Sequence, residues 1–365
     1  MSDDIGRATL DIGGQRYEGW TEVSVSHSIE QAASDFSLQL TDRWSVNMEP
    51  RTIRRGAPCQ LALAGQMLVR GYIERPQPGY DKDASRLSVS GRSKTGDLVD
   101  CSVNIEGGQF KWRSLAQIAV VLCKPFGIEV INQVPEANQP LTTDWQVEPG
   151  ETAFESLERA ARFVRCLLVP DPAGRLVICR AGTSVLPVHL RYADQIVEAS
   201  AEYDDRDRFS EYLVMGDNAA GGAGFDDLDG PAVTQVLGKA VDTGMSRYRP
   251  LVILAEDNLD TKKANERADW EMRRRRARAN TVSVTLQGWT MPGTATLWPL
   301  NHLLHITDPK LGLSNEQLLI SAIRFSKSSS AGTRTALTLM PKEGFDVEPI
   351  NVKKKTSAAP ATGGW

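Results

Sequence analysis

The feature that most constrains this chain is a period-two alternation of apolar and polar residues concentrated towards its two ends. In "DFSLQLTD", Phe36, Leu38 and Leu40 alternate with Ser37, Gln39 and Thr41, so an extended segment presents one apolar and one polar face. "WTEVSVSHSIE", "APCQLALAGQMLVRGYIE" and "RLSVSGRS" carry the same pattern, and "IGGQ", "AGQ" and "PQPGYDKD" supply turn-forming residues between them. Residues 1–99 are therefore expected to form an antiparallel barrel or sandwich with hairpin connections.

From Asp100 the texture changes. "WRSLAQIAVVLCKPFGIEVI" places Leu115, Ile118, Ala119 and Leu122 at helical spacing, then breaks at Pro125 and Gly127 before a short strand. The order recurs downstream: Phe154, Leu157, Ala161 and Val164 form a helical stripe, followed by "CLLV", a turn at "PDPAGR", and "LVIC". A helix packed on a hairpin would bury that stripe, so 100–182 is expected to be a mixed α/β domain. Residues 216–232 lack periodicity and are rich in Gly, Ala and Asp, as in a long exposed loop. Their "GGAG" lacks the Gly-Lys-Ser/Thr ending of a phosphate loop. A helix over 258–279 precedes strands "NTVSVTLQGW", "HLLHITD", "EQLLISAIRFSKS" and "RTALTLMP", so 183–349 is expected to return to β structure as a second barrel-like domain. The tail, 350–365, has too little apolar content to pack.

The composition narrows the function classes. Lys and Arg number 42 against 46 Asp and Glu, a balance that argues against a chain built to grip phosphates. No apolar run approaches the ~18–20 residues needed to span a bilayer, and "MSDDIGRATLDIGG" has neither a basic nor an apolar leader region, so synthesis and folding in a cytoplasm without membrane insertion are expected. Cys59, Cys101, Cys123, Cys166 and Cys179 are scattered without a CxxC pair and read mostly as buried apolar fillers. His302 and His305 sit at i and i+3 of an expected strand and point to opposite faces, which argues against a metal site. No cofactor motif is present. Glu151 and Glu155 fall in the first turn of an expected helix, where acidic residues complement the dipole. A cell-wall hydrolase using Glu148, Glu151 or Asp144 remains a rival reading, although acids so close on one segment lack the flanking geometry of a glycosidase.

The densest charge lies in "DWEMRRRRARAN", where Arg273 to Arg276 stand in succession and Arg278 follows. Glu256, Asp257 and Asp260 open this helix and the arginines close it, as its macrodipole favours. Asn258 or Asp260 is a candidate N-cap and Asn280 a candidate stop. Ala264, Ala268, Met272 and Ala279 form a narrow small-residue stripe fit to lie close against a sheet. Four successive arginines fan around the whole circumference, so at least one packs its stem towards the core and needs a carboxylate there. Structural and subunit-contact roles for Arg273, Arg274, Arg275, Arg276, Arg278 and Trp270 are the favoured reading, with a solvated surface charge patch next. A nucleic-acid grip comes last, since no interleaved aromatics accompany the run.

Four stretches carry a family resemblance. "RADWEMRRRRARANTVSVTLQGWTMPGTATLWPLNHLLHITD" resembles the helix, strand and "LW" segment of the baseplate hub proteins of Mu-like contractile-tailed phages. "GRSKTGDLVDCSV", "VEPGETAFESLERAARF" with its "LLVPDPAGRLVI" hairpin, and "GWTEVSVSHSIEQAASDFSLQLTD" are similar to that family in the same order. The resemblance implies an α+β, β-rich multidomain fold with two tube-like antiparallel β-barrel domains joined through smaller α/β domains. It also implies a non-enzymatic role as a homotrimeric, pseudo-sixfold adaptor in the virion. Such a hub joins the hexameric tail tube protein to the trimeric central spike protein, with baseplate wedge proteins outside and the tape measure protein as a further candidate partner. DNA would pass its lumen without specific binding.

Overall fold

The computed structural model describes residues 6–43, 53–82, 84–105, 107–141, 144–216, 235–254 and 261–346. Both alternating ends of the chain enter one thirteen-stranded sheet. From one edge its order is Ile196–Tyr203, Asn280–Gln287, Gly332–Met340, Leu313–Ser328, Glu22–Ser28, Asp35–Arg43, Ala84–Ser93, Gln66–Tyr80, Pro58–Leu63, Ala8–Ile12 and Gln15–Tyr17. Val185–Arg191 runs parallel to Leu303–Asp308, which in turn pairs with Leu313–Ser328. The two ends join where Leu313–Ser328 pairs antiparallel with Glu22–Ser28, from Ala322 opposite Ser28 to Lys327 opposite Val23. The β-rich α+β architecture with several sheets is as the patterning leads one to expect. Among the described strands, no pairing closes either half into a tube.

One core runs beneath this seam. Val25, Leu38 and Val89 from the first half and Val284, Phe325 and Leu337 from the second belong to a single buried cluster. Trp289 is fully buried in it and its Nε1–H donates to the Ser326 carbonyl at 2.9 Å, so its one polar group is satisfied. One expected turn is shorter than the stretch "PQPGYDKD": the chain reverses only after Tyr80, which lies opposite Ser85. "PQPGY" instead continues the strand Gln66–Tyr80, with Pro76 opposite Val89 and Pro78 opposite Leu87. The neighbour on the other side, Pro58–Leu63, reaches only to Tyr72. Both prolines therefore lie on an open edge, where a missing N–H breaks no ladder.

The central layer holds three helices: α1 (Gly96–Asp100), α2 (Leu115–Cys123) and α3 (Ala153–Val164). Reciprocal caps start α2 and α3, Ser114 with Gln117 and Thr152 with Glu155, each satisfying two N–H groups at a helix start. Gly127 stops the first helical segment in a left-handed conformation at φ 61°. Leu115, Ile118, Ala119 and Leu122 share a core with Leu157 and Ala161, while Phe154 and Val164 pack at its rim. Leu167–Pro170 and Leu176–Cys179 form the expected hairpin, and Val130–Asn132 adds a parallel third strand. Cys59, Cys123, Cys166 and Cys179 are buried, whereas Cys101 is exposed and departs from the filler reading. It follows α1 as its C-cap, where the chain leaves the core.

Ile196–Tyr203 pairs directly with Asn280–Gln287, Tyr203 lying opposite Asn280. The intervening residues 204–279 are thus an excursion from one hairpin. Within it Glu211–Gly216 sits between Gln235–Val241, antiparallel, and Pro250–Leu254, parallel. The helix α4 (Thr261–Arg278) lies on this small sheet, over a core of Tyr212, Val214, Ala264 and Ala268. The small-residue stripe permits this approach. A Cβ on Gly238 would stand 2.3 Å from the Ala264 carbonyl carbon. The candidate caps Asn258 and Asp260, nearly all of the 216–232 loop and the 350–365 tail lie outside the described residues.

Two outcomes follow. Gly238→Ala forces backbone apart and is expected to cost about 1–3 kcal/mol, read as a lower midpoint in chemical denaturation; an unchanged midpoint would show that α4 does not need this contact. His27 is buried, 9% exposed, with Nδ1 2.6 Å from Ser34 Oγ, and burial lowers its pKa from 6.5 to about 4. The unfolded chain then binds the extra proton between those values, so the contribution is whole above pH 6.5 and disappears as pH falls towards 4. Stability should drop by on the order of 3 kcal/mol across that window, and His27→Gln should flatten the slope in denaturant titrations at stepped pH.

Candidate functional site

The arginine run occupies the last turns of α4, and its side chains leave the helix in different directions. Arg273 bonds Asp269 one turn back at 3.0 Å and reaches Asp346 at 3.5 Å. Arg275 turns inward: its Nε donates to Glu271 at 2.5 Å, its Nη1 donates to the Asp207 carbonyl at 3.1 Å, and the guanidinium lies 5.4 Å from the Phe209 ring centre. This is the core-side arginine with a carboxylate partner that the run requires, since Glu271 is only 7% exposed. Arg278 crosses to other parts of the chain, donating to the Gly344 carbonyl at 3.1 Å and to Glu30 at 2.5 Å. Arg276 is exposed and makes no ion pair with the described residues. It lines a cavity of about 620 Å³ with Arg273, Tyr203, Asn280, Glu316 and Glu343. Asn280 ends the helix, its Nδ2 donating to the Arg276 carbonyl at 2.7 Å.

Trp270 is the hinge of the arrangement. It is buried, its Nε1–H donates to the Asp346 carbonyl at 3.1 Å, and the Arg267 and Arg274 guanidiniums lie 5.0 and 5.3 Å from its ring centre, within cation–π range. Arg274 is half-buried, and burial followed by the nearby Arg278 holds its pKa below the ordinary arginine value. The structure thus gathers Trp270, Arg274 and Arg278 on one side of α4, against the turn Lys342–Phe345, and sends Arg275 to the other. No single basic face results. A groove for a phosphate backbone needs one.

Sequence reasoning did not find the strongest ion pair of the excursion. Asp242 has a fully buried side chain and receives Arg208 at 2.6 and 3.0 Å and the Gly244 N–H at 3.0 Å. Burial alone would raise the Asp242 carboxyl, but these donors outweigh it and hold the pKa below the carboxylate norm. The contact spans 34 residues without any local motif to announce it. Of the rival hydrolase acids, Glu151 is set against the role of general acid. Burial would raise Glu151, yet Arg159 at 2.9 Å and the Glu148 N–H pull it below its ordinary value. A general acid requires the opposite shift. Among the described residues no group of three or more His, Cys, Asp or Glu is placed to hold a metal.

Comparison with known proteins decides the family. The baseplate hub protein gp44 of Escherichia phage Mu is 34% identical over 361 residues, spanning 98% of this chain and 93% of that protein. The chain belongs to the family of Mu-like phage baseplate hub proteins. Its parts match family models in order: residues 7–93 the N-terminal domain of the Mu phage baseplate assembly protein GpP-like family, 95–180 the second domain of the gp44-like hub family, and 260–348 the fourth domain of GpP. The 43 kDa tail protein of prophage MuSo2 from Shewanella oneidensis superposes with a TM-score of 0.82 at 33% identity, covering 93% of this chain and 99% of that one. The fold alone extends to the E. coli c3393 protein, at a TM-score of 0.58 and 11% identity over 93% of this chain and 79% of that one. That protein is described as a type VI secretion component with structural similarity to the T4 tail proteins gp27 and gp5. Membership makes this hub chain a structural component of a phage tail rather than an enzyme.

The site yields a graded outcome. Arg275→Ala strands the buried Glu271 and is expected to cost about 2–3 kcal/mol, while Arg273→Ala, at an exposed pair, should stay within about 1 kcal/mol. Urea denaturation of both variants checks the ranking, and equal costs would refute the inward role of Arg275.

Proposed function

We propose that three copies of the hub chain close into a ring that links the sixfold tail tube protein to the threefold central spike protein. The observation that carries this reading is the continuous sheet through Glu22–Ser28 and Leu313–Ser328. It fixes two β-rich halves in one rigid body, so a threefold ring would present six comparable β surfaces. That repetition is what a sixfold partner can dock on. The fold shared with a protein described as similar to the T4 tail proteins gp27 and gp5 supports a place in the tail.

In this reading each half completes a tube-like wall in the ring, and baseplate wedge proteins meet the outer surface. The tape measure protein is a transient neighbour, and DNA passes the lumen without specific binding. A lumen that must let phosphates slide is neutral or acidic, so Arg273, Arg274, Arg276 and Arg278 belong at subunit contacts or on the outer wall, whereas Arg275 and the buried Trp270, expected at such contacts from the sequence, are taken up by partners within the chain. The chain is made in the host cytoplasm and acts in the virion.

Light scattering on the purified protein, alone and with spike, tests the ring. The expected mass of the hub assembly is three times the 40.0 kDa chain. A protein that stays monomeric at high concentration and ignores both spike and tube would overturn the proposal.

A further inference from the structure

One tryptophan of the α/β layer faces solvent. Trp20, Trp145, Trp270, Trp289 and Trp298 are at most 5% exposed, whereas Trp112 is 78% exposed. Its backbone is also strained: φ is 54°, a left-handed conformation that glycine takes freely and a bulky side chain does not. The flanks impose it. Before the turn, Phe110 is buried and pairs with Trp145; after it, the Arg113 carbonyl accepts from the Leu141 N–H at 2.9 Å and Ser114 caps α2. Strain of this kind persists only where the surroundings hold it, and it gathers at sites of function. An indole held between two fixed flanks is pre-organised, so docking it costs little ordering entropy.

Cations stand on both sides of it. Lys111 and Arg113 are exposed, and among the described residues neither side chain has an ion-pair or hydrogen-bond partner. Continuing the Phe110–Trp145 register sets Asp144 opposite Lys111, yet no ion pair joins them. No part of 100–182 enters the thirteen-stranded sheet that forms the tube-like wall in the ring reading, so this layer is left to face outward. We propose that Lys111, Trp112 and Arg113 are a docking point for a wedge protein, one that offers an apolar pocket for the indole edged by carboxylates for the two cations. The inference rests on the ring reading, which puts wedge proteins outside, and deepens it by naming the contact and its chemistry. Tryptophan and arginine are the side chains that most often dominate protein contacts, when a rigid anchor fills a pocket and shuts out water. One indole with two cations supplies neither the stacked series that single-stranded nucleic acid takes nor the apolar helix face that a membrane surface takes.

The test measures binding of the full-length hub to purified wedge, tube and spike proteins of the same tail by surface plasmon resonance, with thermal melts to confirm folding. Three variants are compared with the parent: Trp112→Gly, the double change Lys111→Glu with Arg113→Glu, and Tyr248→Ala, whose side chain is 80% exposed on the excursion and serves as control. The proposal expects wedge binding that weakens with salt, a loss of about tenfold or more in Trp112→Gly and in the charge-reversed variant, and parent affinity in Tyr248→Ala. Tube and spike binding should not change. Because glycine accepts the turn, Trp112→Gly should melt at or above the parent; a lower melt would show that the indole holds the fold, and would overturn the docking role. Parent-like wedge binding by folded Trp112→Gly would overturn this contact and leave the ring reading standing. Losses confined to tube or spike, or Trp112-dependent sedimentation with phosphatidylcholine–phosphatidylserine vesicles, would overturn the choice of partner. A parent hub that binds no wedge protein would remove the reading on which the contact rests.

Discussion

The ladder between Glu22–Ser28 and Leu313–Ser328 is the constraint on which the rest of the structure depends. Strands nearly three hundred residues apart in sequence exchange backbone hydrogen bonds there, and Val25 and Phe325 face each other across it in the common core. Without it the two β-rich ends would each leave an open edge, with N–H and C=O groups exposed to chance pairing. With it they move as one body. The α/β layer then docks under the seam, where Ile29, Val169, Val177 and Leu319 form a shared cluster.

The excursion of 204–279 shows how charge is used when a helix must sit close to a sheet. Small residues at Ala264 and Ala268 bring α4 near the strand of Gly238, which leaves no room for large apolar side chains at the contact. Fixing the helix then falls to its ends. Arg275, held by Glu271 of the same helix, ties it to Asp207 on one side, and Trp270 and Arg278 tie it to Asp346, Gly344 and Glu30 on the other. Partly buried ion pairs of this kind add little net stability, because desolvation offsets much of their attraction. Their value is in fixing one arrangement of α4 against the first half and the chain's last described turn.

For a structural hub this division of labour suits the task. Family membership makes the molecule a structural component of the tail baseplate rather than an enzyme. Rigidity comes from one long sheet, and the features left for contact are edges, grooves and unpaired charges. Arg276, which is exposed and makes no ion pair with the described residues, is such a feature.

Much of this was legible beforehand because it depends on local periodicity. Phe36 and Leu38, or Leu115, Ile118 and Leu122, announce their buried faces by spacing alone, since a strand repeats every two residues and a helix every 3.6. Capping boxes, the stop at Gly127 and the direction of the macrodipole in α4 are equally local. The "PQPGY" segment was not legible, because whether a proline breaks a strand depends on whether its N–H side faces a neighbour. The arginine run was legible only as a need for partners. Sequence by itself determined the alternating strands, the longer helices and the faces they bury, but not the strands Val185–Arg191, Ile196–Tyr203, Glu211–Gly216 and Gln235–Val241. Only the tertiary structure decided that both ends share one sheet and that Glu30, Asp207 and Gly344 meet the arginines, because such pairings join residues 66 (Arg278 to Gly344) to 304 (Val23 to Lys327) positions apart, where no periodicity reaches.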